Sequence, residues 1–66
     1  MNTVVFILCL IIVNAQDVAT DLIAEGFDDE SKCLIMKDRF INGARNEGNR
    51  VVMVVSCKPT DIGHGS

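Results

Sequence analysis

The sequence predicts a small α+β protein in which one or two short helices pack on a valine-rich strand and a single disulfide ties them together. Residues 50–57, RVVMVVSC, are rich in valine, which favours strands. Residues 29–41 carry apolar side chains at helical spacing behind a run of acidic residues, as is typical of the start of a helix. Cys33 and Cys57 can pair between these two segments. A chain of 66 residues allows one domain with a small core, so a covalent link would supply much of its stability.

The N-terminal segment, residues 1–15, is predicted to be a signal peptide. It reads MNTVVFILCLIIVNA and contains an unbroken apolar run from Val4 to Val13. A helix of that length extends about 15 Å, half of the roughly 30 Å that a bilayer core requires. Small or aliphatic residues precede the Ala15–Gln16 bond, as signal peptidase requires, so we expect cleavage there. A membrane anchor and a buried core segment are the alternatives.

Cleavage at this bond would leave residues 16–66 as the mature chain and would discard Cys9. The cysteine count is then even, as expected for an exported chain with one bridge. We therefore expect a secreted, extracellular polypeptide with no stable membrane association after cleavage. Residues 16–58 would form the single mature domain, which begins with an acidic arm, and residues 59–66 would form a flexible C-terminal tail. The new N-terminal Gln16 could cyclise to pyroglutamate.

The acidic arm is predicted to form a first helix over residues 17–26. Asp17, Asp21 and Glu25 are spaced four residues apart and would form one acidic stripe, with apolar residues at near-helical spacing between them. Gly26 would end this helix. The stripe holds no basic residue, so it is also a candidate surface for contact with a partner protein.

Residues 29–41 fit two secondary structures. As a helix, the segment is capped by the preceding aspartates and stopped by Asn42 and Gly43. As a strand, residues 32–41 would pair with residues 50–57 in a β-hairpin that follows the N-terminal helix, because the intervening NGARNEGN suits a turn. The helix is favoured, since Lys, Leu, Met and Arg are good helix formers.

The strand at residues 50–57 is apolar on both faces, which predicts that other elements pack over it. Pro59 is expected to end the strand. A Cys33–Cys57 bridge would close a loop of about 25 residues and stabilise the fold by about 3.5 kcal/mol in the chain-entropy account. Pairing of the same cysteines between chains would instead give a disulfide-linked dimer.

No stretch carries a motif that is specific for catalysis, for a metal or for a cofactor. The single histidine, His64, lies between glycines in the tail, whereas metal sites and catalytic bases need clustered partners. A net charge of −3 argues against nucleic-acid binding. We therefore expect a protein that is not an enzyme and that binds no metal, cofactor or nucleic acid.

These features predict a small secreted non-catalytic polypeptide that binds an extracellular protein or receptor, as signalling and effector peptides of seminal, venom or salivary glands do. The candidate contact residues are charged: Arg45, Arg50, Asp17, Asp21 and Glu25. The alternative is a small serine-protease inhibitor. In that case the connection at residues 42–50 would present Arg45 to a trypsin-like pocket, and the bridge would lower the entropic cost of binding.

Overall fold

A computed structural model of the chain describes residues 3–61, which form three strands and one helix. The elements follow one another as β1 (Val4–Val13), β2 (Ala19–Phe27), α1 (Glu30–Asn46) and β3 (Arg50–Asp61). The strands make one antiparallel sheet in the order β2-β1-β3, and α1 packs on one face of it. The predicted small α+β class with one disulfide is confirmed.

The middle strand of the sheet is the N-terminal apolar run. β1 pairs with β2 along one edge, where Leu10 lies opposite Ile23, and with β3 along the other, where Leu10 lies opposite Met53. Leu8 and Leu10 are fully buried. The residues predicted to belong to a signal peptide are therefore, in this chain, the strand around which the core is built.

A polar turn joins β1 to β2. The Asn14 side-chain oxygen accepts hydrogen bonds from the backbone N–H groups of Gln16 (2.9 Å) and Val18 (3.0 Å). Asp17 adopts a φ of 63°, a left-handed conformation that Asp tolerates better than most residues. Ala15 and Gln16 are both exposed in this turn. Asn14 thus closes the hairpin through its side chain.

The helix predicted over residues 17–26 is wrong, because these residues belong to the turn and to β2. The apolar positions in this short segment fit a helical period and a strand period almost equally well. β1 decides between them, since its free edge offers β2 a ladder of backbone hydrogen bonds. Ile23 and Phe27 then point to the core side of the sheet.

The favoured helix over residues 29–41 is confirmed, and the β-hairpin alternative is wrong. Asp29 caps α1 by accepting a 2.8 Å hydrogen bond from the Ser31 backbone N–H. The predicted stop at Asn42 and Gly43 comes too early, because α1 continues to Asn46. A glycine weakens a helix without ending it. The helix ends where Gly48 takes a φ of +75°.

Strand β3 extends beyond the predicted end at residue 57. Pro59 lies within β3, opposite Phe6, and the strand reaches Asp61. Proline is accepted here because β3 is an edge strand, in which every second backbone N–H faces away from the sheet. The predicted tail therefore loses residues 59–61 to the sheet, while residues 62–66 lie outside the described part of the chain.

The disulfide joins the first turn of α1 to β3. Cys33 and Cys57 form an intrachain bridge with their Cα atoms 5.8 Å apart, as predicted, and both residues belong to the buried core with Leu8 and Leu10. Half-buried side chains surround this core: Phe6, Ile12, Ile23, Phe27, Phe40, Val51 and Met53. The bridge holds α1 on the sheet, where few fully buried residues are available to do so.

Candidate functional site

Two of the three connections between elements and several charged side chains lie at one end of the molecule. The last turn of α1, the first residue of β3 and the β1–β2 turn all meet there, because β1 ends beside Arg50 and Ala19. Only Glu47, Gly48 and Asn49 connect α1 to β3. A single helix is narrower than a three-stranded sheet, so a cleft opens on each side of the helix end.

The larger cleft, which we call the arginine cleft, lies between the last turns of α1 and the start of β3. It has a volume of about 330 Å³. Its lining combines a half-buried apolar floor with polar and basic groups: Ile41, Val51, Met53, Asn49, Arg45 and Arg50. Both guanidinium groups belong to exposed residues, so the cleft presents positive charge above an apolar surface.

Asp17 holds one of these arginines in place. The Asp17 carboxylate accepts a hydrogen bond from Nη2 of Arg50 at 2.7 Å. Both side chains are more than half exposed, so the pair stabilises the fold by at most about 1 kcal/mol. The contact matters more for geometry, because it ties the β1–β2 turn to the start of β3 and fixes one side of the arginine cleft.

The smaller cleft lies on the other side of α1 and has the opposite electrostatic character. It has a volume of about 200 Å³, and its charged lining residues are Asp21, Glu47 and Arg39. Phe40 and Ile12 form its apolar part. Asn49 lines both clefts, so the two lie next to each other around the end of α1.

The structure brings most of the predicted contact residues together. Arg45 and Arg50 line the arginine cleft, Asp17 forms an ion pair with Arg50, and Asp21 lines the neighbouring cleft. Glu25 does not join them, because it lies four residues further along β2, about 13 Å away at strand spacing. The predicted acidic stripe therefore does not exist as a helix surface.

The connection predicted at residues 42–50 is shorter than expected. Residues 42–46 continue α1, so Arg45 lies in the last helical turn and not in an extended loop. A basic residue there is favourable, because helix C-terminal carbonyl groups carry partial negative charge. Ala44, only 4% exposed, anchors this extra turn against the rest of the molecule.

Sequence reasoning missed the apolar floor of the arginine cleft. The sequence places Val51 and Met53 in a strand that other elements cover, and Ile41 among the apolar side chains of the helix. All three also contribute to the cleft because α1 leaves the edge of β3 partly open. Alternating burial along β3 follows from the sequence only once the position of α1 is known.

The described residues contain no group of three His, Cys, Asp or Glu side chains placed to hold a metal ion. Among the same residues, no helix is long and apolar enough to cross a membrane. The disulfide indicates an extracellular or otherwise oxidising environment. Comparisons of the chain with protein-family models, with curated proteins and with solved structures found no match.

Proposed function

We propose that this chain is a secreted, non-catalytic polypeptide that binds an extracellular protein through the arginine cleft. The observation that carries the proposal is the 330 Å³ cleft, in which Arg45 and Arg50 stand over an apolar floor. Arginine is enriched at the centres of protein interfaces, where it pairs a planar charge with apolar contact area. The Cys33–Cys57 bridge supports the oxidising location that secretion requires.

The arrangement favours a partner segment with an acidic side chain next to an apolar one. A carboxylate can accept two parallel hydrogen bonds from a guanidinium group, and this geometry is stronger and more specific than a single contact. The apolar neighbour would cover Val51 and Met53. The short α1–β3 connection and the disulfide keep the two walls of the cleft in place, which lowers the entropic cost of binding.

The proposed export also predicts where the exported chain begins. A signal peptide that ends at Ala15 would give a mature chain that begins at Gln16 and lacks β1, whereas the arginine cleft proposed here belongs to the chain that keeps β1. Mass spectrometry of the exported protein, with and without reductant, measures where the chain starts and whether the bridge is intact. The same spectrum reports cyclisation of Gln16 as the loss of ammonia.

The binding proposal is tested with labelled protein on cells or on immobilised extracellular proteins. We expect saturable binding that weakens at least tenfold in Arg45→Ala, because charge-assisted hydrogen bonds contribute on the order of 1.5–3 kcal/mol. Lys32→Ala is the matched control, since Lys32 is an exposed cation near the opposite end of α1. It should bind as the wild type does.

Reduction of the bridge should also weaken binding, because α1 then loses its covalent tie to β3 and the walls of the cleft separate. Binding that survives both reduction and Arg45→Ala unchanged would exclude the arginine cleft. Equal losses in Arg45→Ala and Lys32→Ala would show a non-specific attraction to net charge, which also contradicts the proposal.

A further inference from the structure

The second half of β3 pairs with β1 in a displaced register. The first half of β3 pairs with β1 residue by residue as far as Met53, which lies opposite Leu10. The next residue of β1, Cys9, lies opposite Val55 and not opposite Val54, and a second shift follows directly after this pair. Each shift adds one residue to β3, as a β-bulge does. The end of β3 is therefore displaced by two residues from the ladder in which it begins.

The two shifts leave several residues outside the ladder. Within the described strands, Leu8 is the one residue of β1 that has no ladder partner on β3. In the same described range, Val54, Ser56 and Cys57 have no ladder partner on β1, and Val54 is 55% exposed. Helix α1 holds Ser56 instead, because Nζ of Lys37 donates a 3.2 Å hydrogen bond to its Oγ. Contacts with α1 therefore help to shape this part of β3.

Cys57 has a backbone conformation that strands disfavour. Its φ is 48°, which lies in the left-handed region, where a residue with a Cβ is strained and glycine is preferred. The same residue is bonded to Cys33 in the first turn of α1, with the two Cα atoms 5.8 Å apart. The bridge is thus the covalent tie that keeps Cys57 at its present level of the sheet.

A regular ladder is available to the same two strands. If the pairing of Met53 with Leu10 continued without a shift, every residue of β1 would have a partner among residues 50–59. Leu8 would then lie opposite Val55, so an additional valine would turn to the core side of the sheet. No residue of β3 would need a left-handed backbone.

A displacement of two residues also suits Pro59. Alternate residues of an edge strand turn their backbone nitrogen away from the neighbouring strand, and proline requires such a position because it has no N–H. Pro59 lies opposite Phe6 and would lie opposite Val4 in the regular ladder. The two positions are equivalent, since they are two residues apart on β1. Cys57 would stay on the helix side, because it would then lie opposite Phe6.

We propose that the Cys33–Cys57 bridge is a redox-sensitive switch that sets the register of β3. A dithiol reduces the S–S bond by supplying two electrons and two protons; the two cysteines become thiols, and the dithiol closes to a cyclic disulfide. Residues 54–59 then slip by two positions into the regular ladder, and Thr60 and Asp61 leave the sheet.

The intact bridge prevents this slip. The slip moves Cys57 along the strand by two residues, about 6.6 Å. The Cα atoms of a disulfide lie at most about 6.8 Å apart, and those of Cys33 and Cys57 are already separated by 5.8 Å. The slip therefore requires a broken bridge as long as α1 keeps its place on the sheet.

This inference goes beyond the proposed function and does not depend on it. Val51 and Met53, which form part of the floor of the arginine cleft, precede the first shift and keep the same partners on β1 in either register. The switch acts on the other half of β3. It converts the thiol–disulfide balance of the surroundings into a change of strand pairing.

The test follows the ladder of the full chain by nuclear magnetic resonance, through proton contacts between opposite residues. In the bridged chain, Phe6 should contact Pro59. After addition of dithiothreitol, Phe6 should instead contact Cys57, and Leu8 should gain a contact with Val55. Removal of the dithiol and reoxidation should restore the first pattern.

Amide exchange gives a second readout at Thr60. Its N–H faces β1 in the bridged chain, because the nitrogen of Pro59 faces away and the direction alternates along a strand. Reduction should raise the exchange rate of this amide to that of an unstructured peptide. The amide of Val52, which precedes the first shift, is the internal control and should keep its exchange behaviour.

Two variants separate the register from the loss of the cross-link. Cys33→Ala with Cys57→Val should adopt the regular ladder, because a β-branched residue resists a positive φ. Cys33→Ala with Cys57→Gly should keep part of the present register, since glycine adopts a φ of 48° freely. Both are measured in the dithiol so that Cys9 stays a thiol.

Two results would overturn the proposal. The first is a reduced chain, or a variant with Cys57→Val, in which Phe6 still contacts Pro59. The second is the loss of all contacts between β1 and β3 on reduction, since the bridge would then hold the whole fold and not the register of one strand.

Discussion

Replacement of Leu10 by alanine in the full chain would measure how much of the fold depends on β1. Leu10 is fully buried, with Ile23 opposite it on β2 and Met53 opposite it on β3. Truncation removes three buried carbon atoms and leaves a space that the sheet cannot close, since both neighbouring strands are fixed by the backbone ladder. We expect a loss of about 2–5 kcal/mol.

That loss is large compared with the total stability of a chain of this size. A protein of 66 residues has a free energy of unfolding of roughly 3–10 kcal/mol. Leu10→Ala should therefore remove about half of it, and the variant should be partly unfolded at room temperature. Ile35→Ala is the control, because Ile35 is 54% exposed on α1 and its truncation should change the stability by less than about 0.5 kcal/mol.

The measurement is urea unfolding followed by far-ultraviolet circular dichroism at a fixed, low protein concentration. Fluorescence lacks a reporter, because the chain contains no Trp and no Tyr. If Leu10→Ala changed the free energy of unfolding no more than Ile35→Ala does, β1 would not be the core strand of the folded protein. The assignment of residues 4–13 to the sheet would then be refuted.

Three further predictions concern the elements around β1. Gly48→Ala should destabilise the protein by about 1 kcal/mol, because alanine is strained at a φ of +75°. Gly43→Ala should stabilise α1 by up to about 1 kcal/mol, since a Cβ there meets nothing within 4 Å. Urea unfolding should therefore give changes in the free energy of unfolding of opposite sign for the two variants. The double variant Cys33→Ser with Cys57→Ser should lose about 3.5 kcal/mol, measured as a lower urea midpoint, and an unchanged midpoint would contradict a structural role of the bridge. Asn14→Ala should lower the free energy of unfolding by about 1 kcal/mol or more, because it removes two hydrogen bonds in the β1–β2 turn. The amide hydrogens of Gln16 and Val18 should then exchange faster, and an unchanged exchange rate would exclude this turn.

The parts of the fold that were predicted from the sequence are those with a strong local signal. Helix α1 has a capping aspartate, good helix formers and one apolar side, and β3 has a dense run of valines. The Cys33–Cys57 pairing followed from the cysteine count after removal of Cys9. None of these inferences required knowledge of the neighbouring elements.

The parts that were missed depend on neighbours. β2 was predicted as a helix because residues 1–15 had been set aside as a leader, which left residues 19–27 without the strand that pairs with them. The end of α1 was placed at Gly43, because sequence alone does not show which glycine takes a positive φ. Arg45 and Arg50 were singled out by charge, but the cleft between them exists only because α1 runs to Asn46 and leaves three residues of connection.

The N-terminal segment meets two sets of physical requirements with the same residues. An export signal needs a short apolar run before small residues, and a central strand needs an apolar run followed by a turn; residues 4–18 provide both. Whether the bond after Ala15 is cut before or after folding decides whether β1 stays in the protein. Cleavage at Ala15 before folding removes β1 and leaves β2 and β3 without the strand that joins them. A cut at the same exposed bond after folding opens only the β1–β2 turn, and β1 stays held by both ladders and by the burial of Leu8 and Leu10. A folded protein that carries a nick at Ala15 should therefore retain residues 1–15 under native conditions and release them in urea.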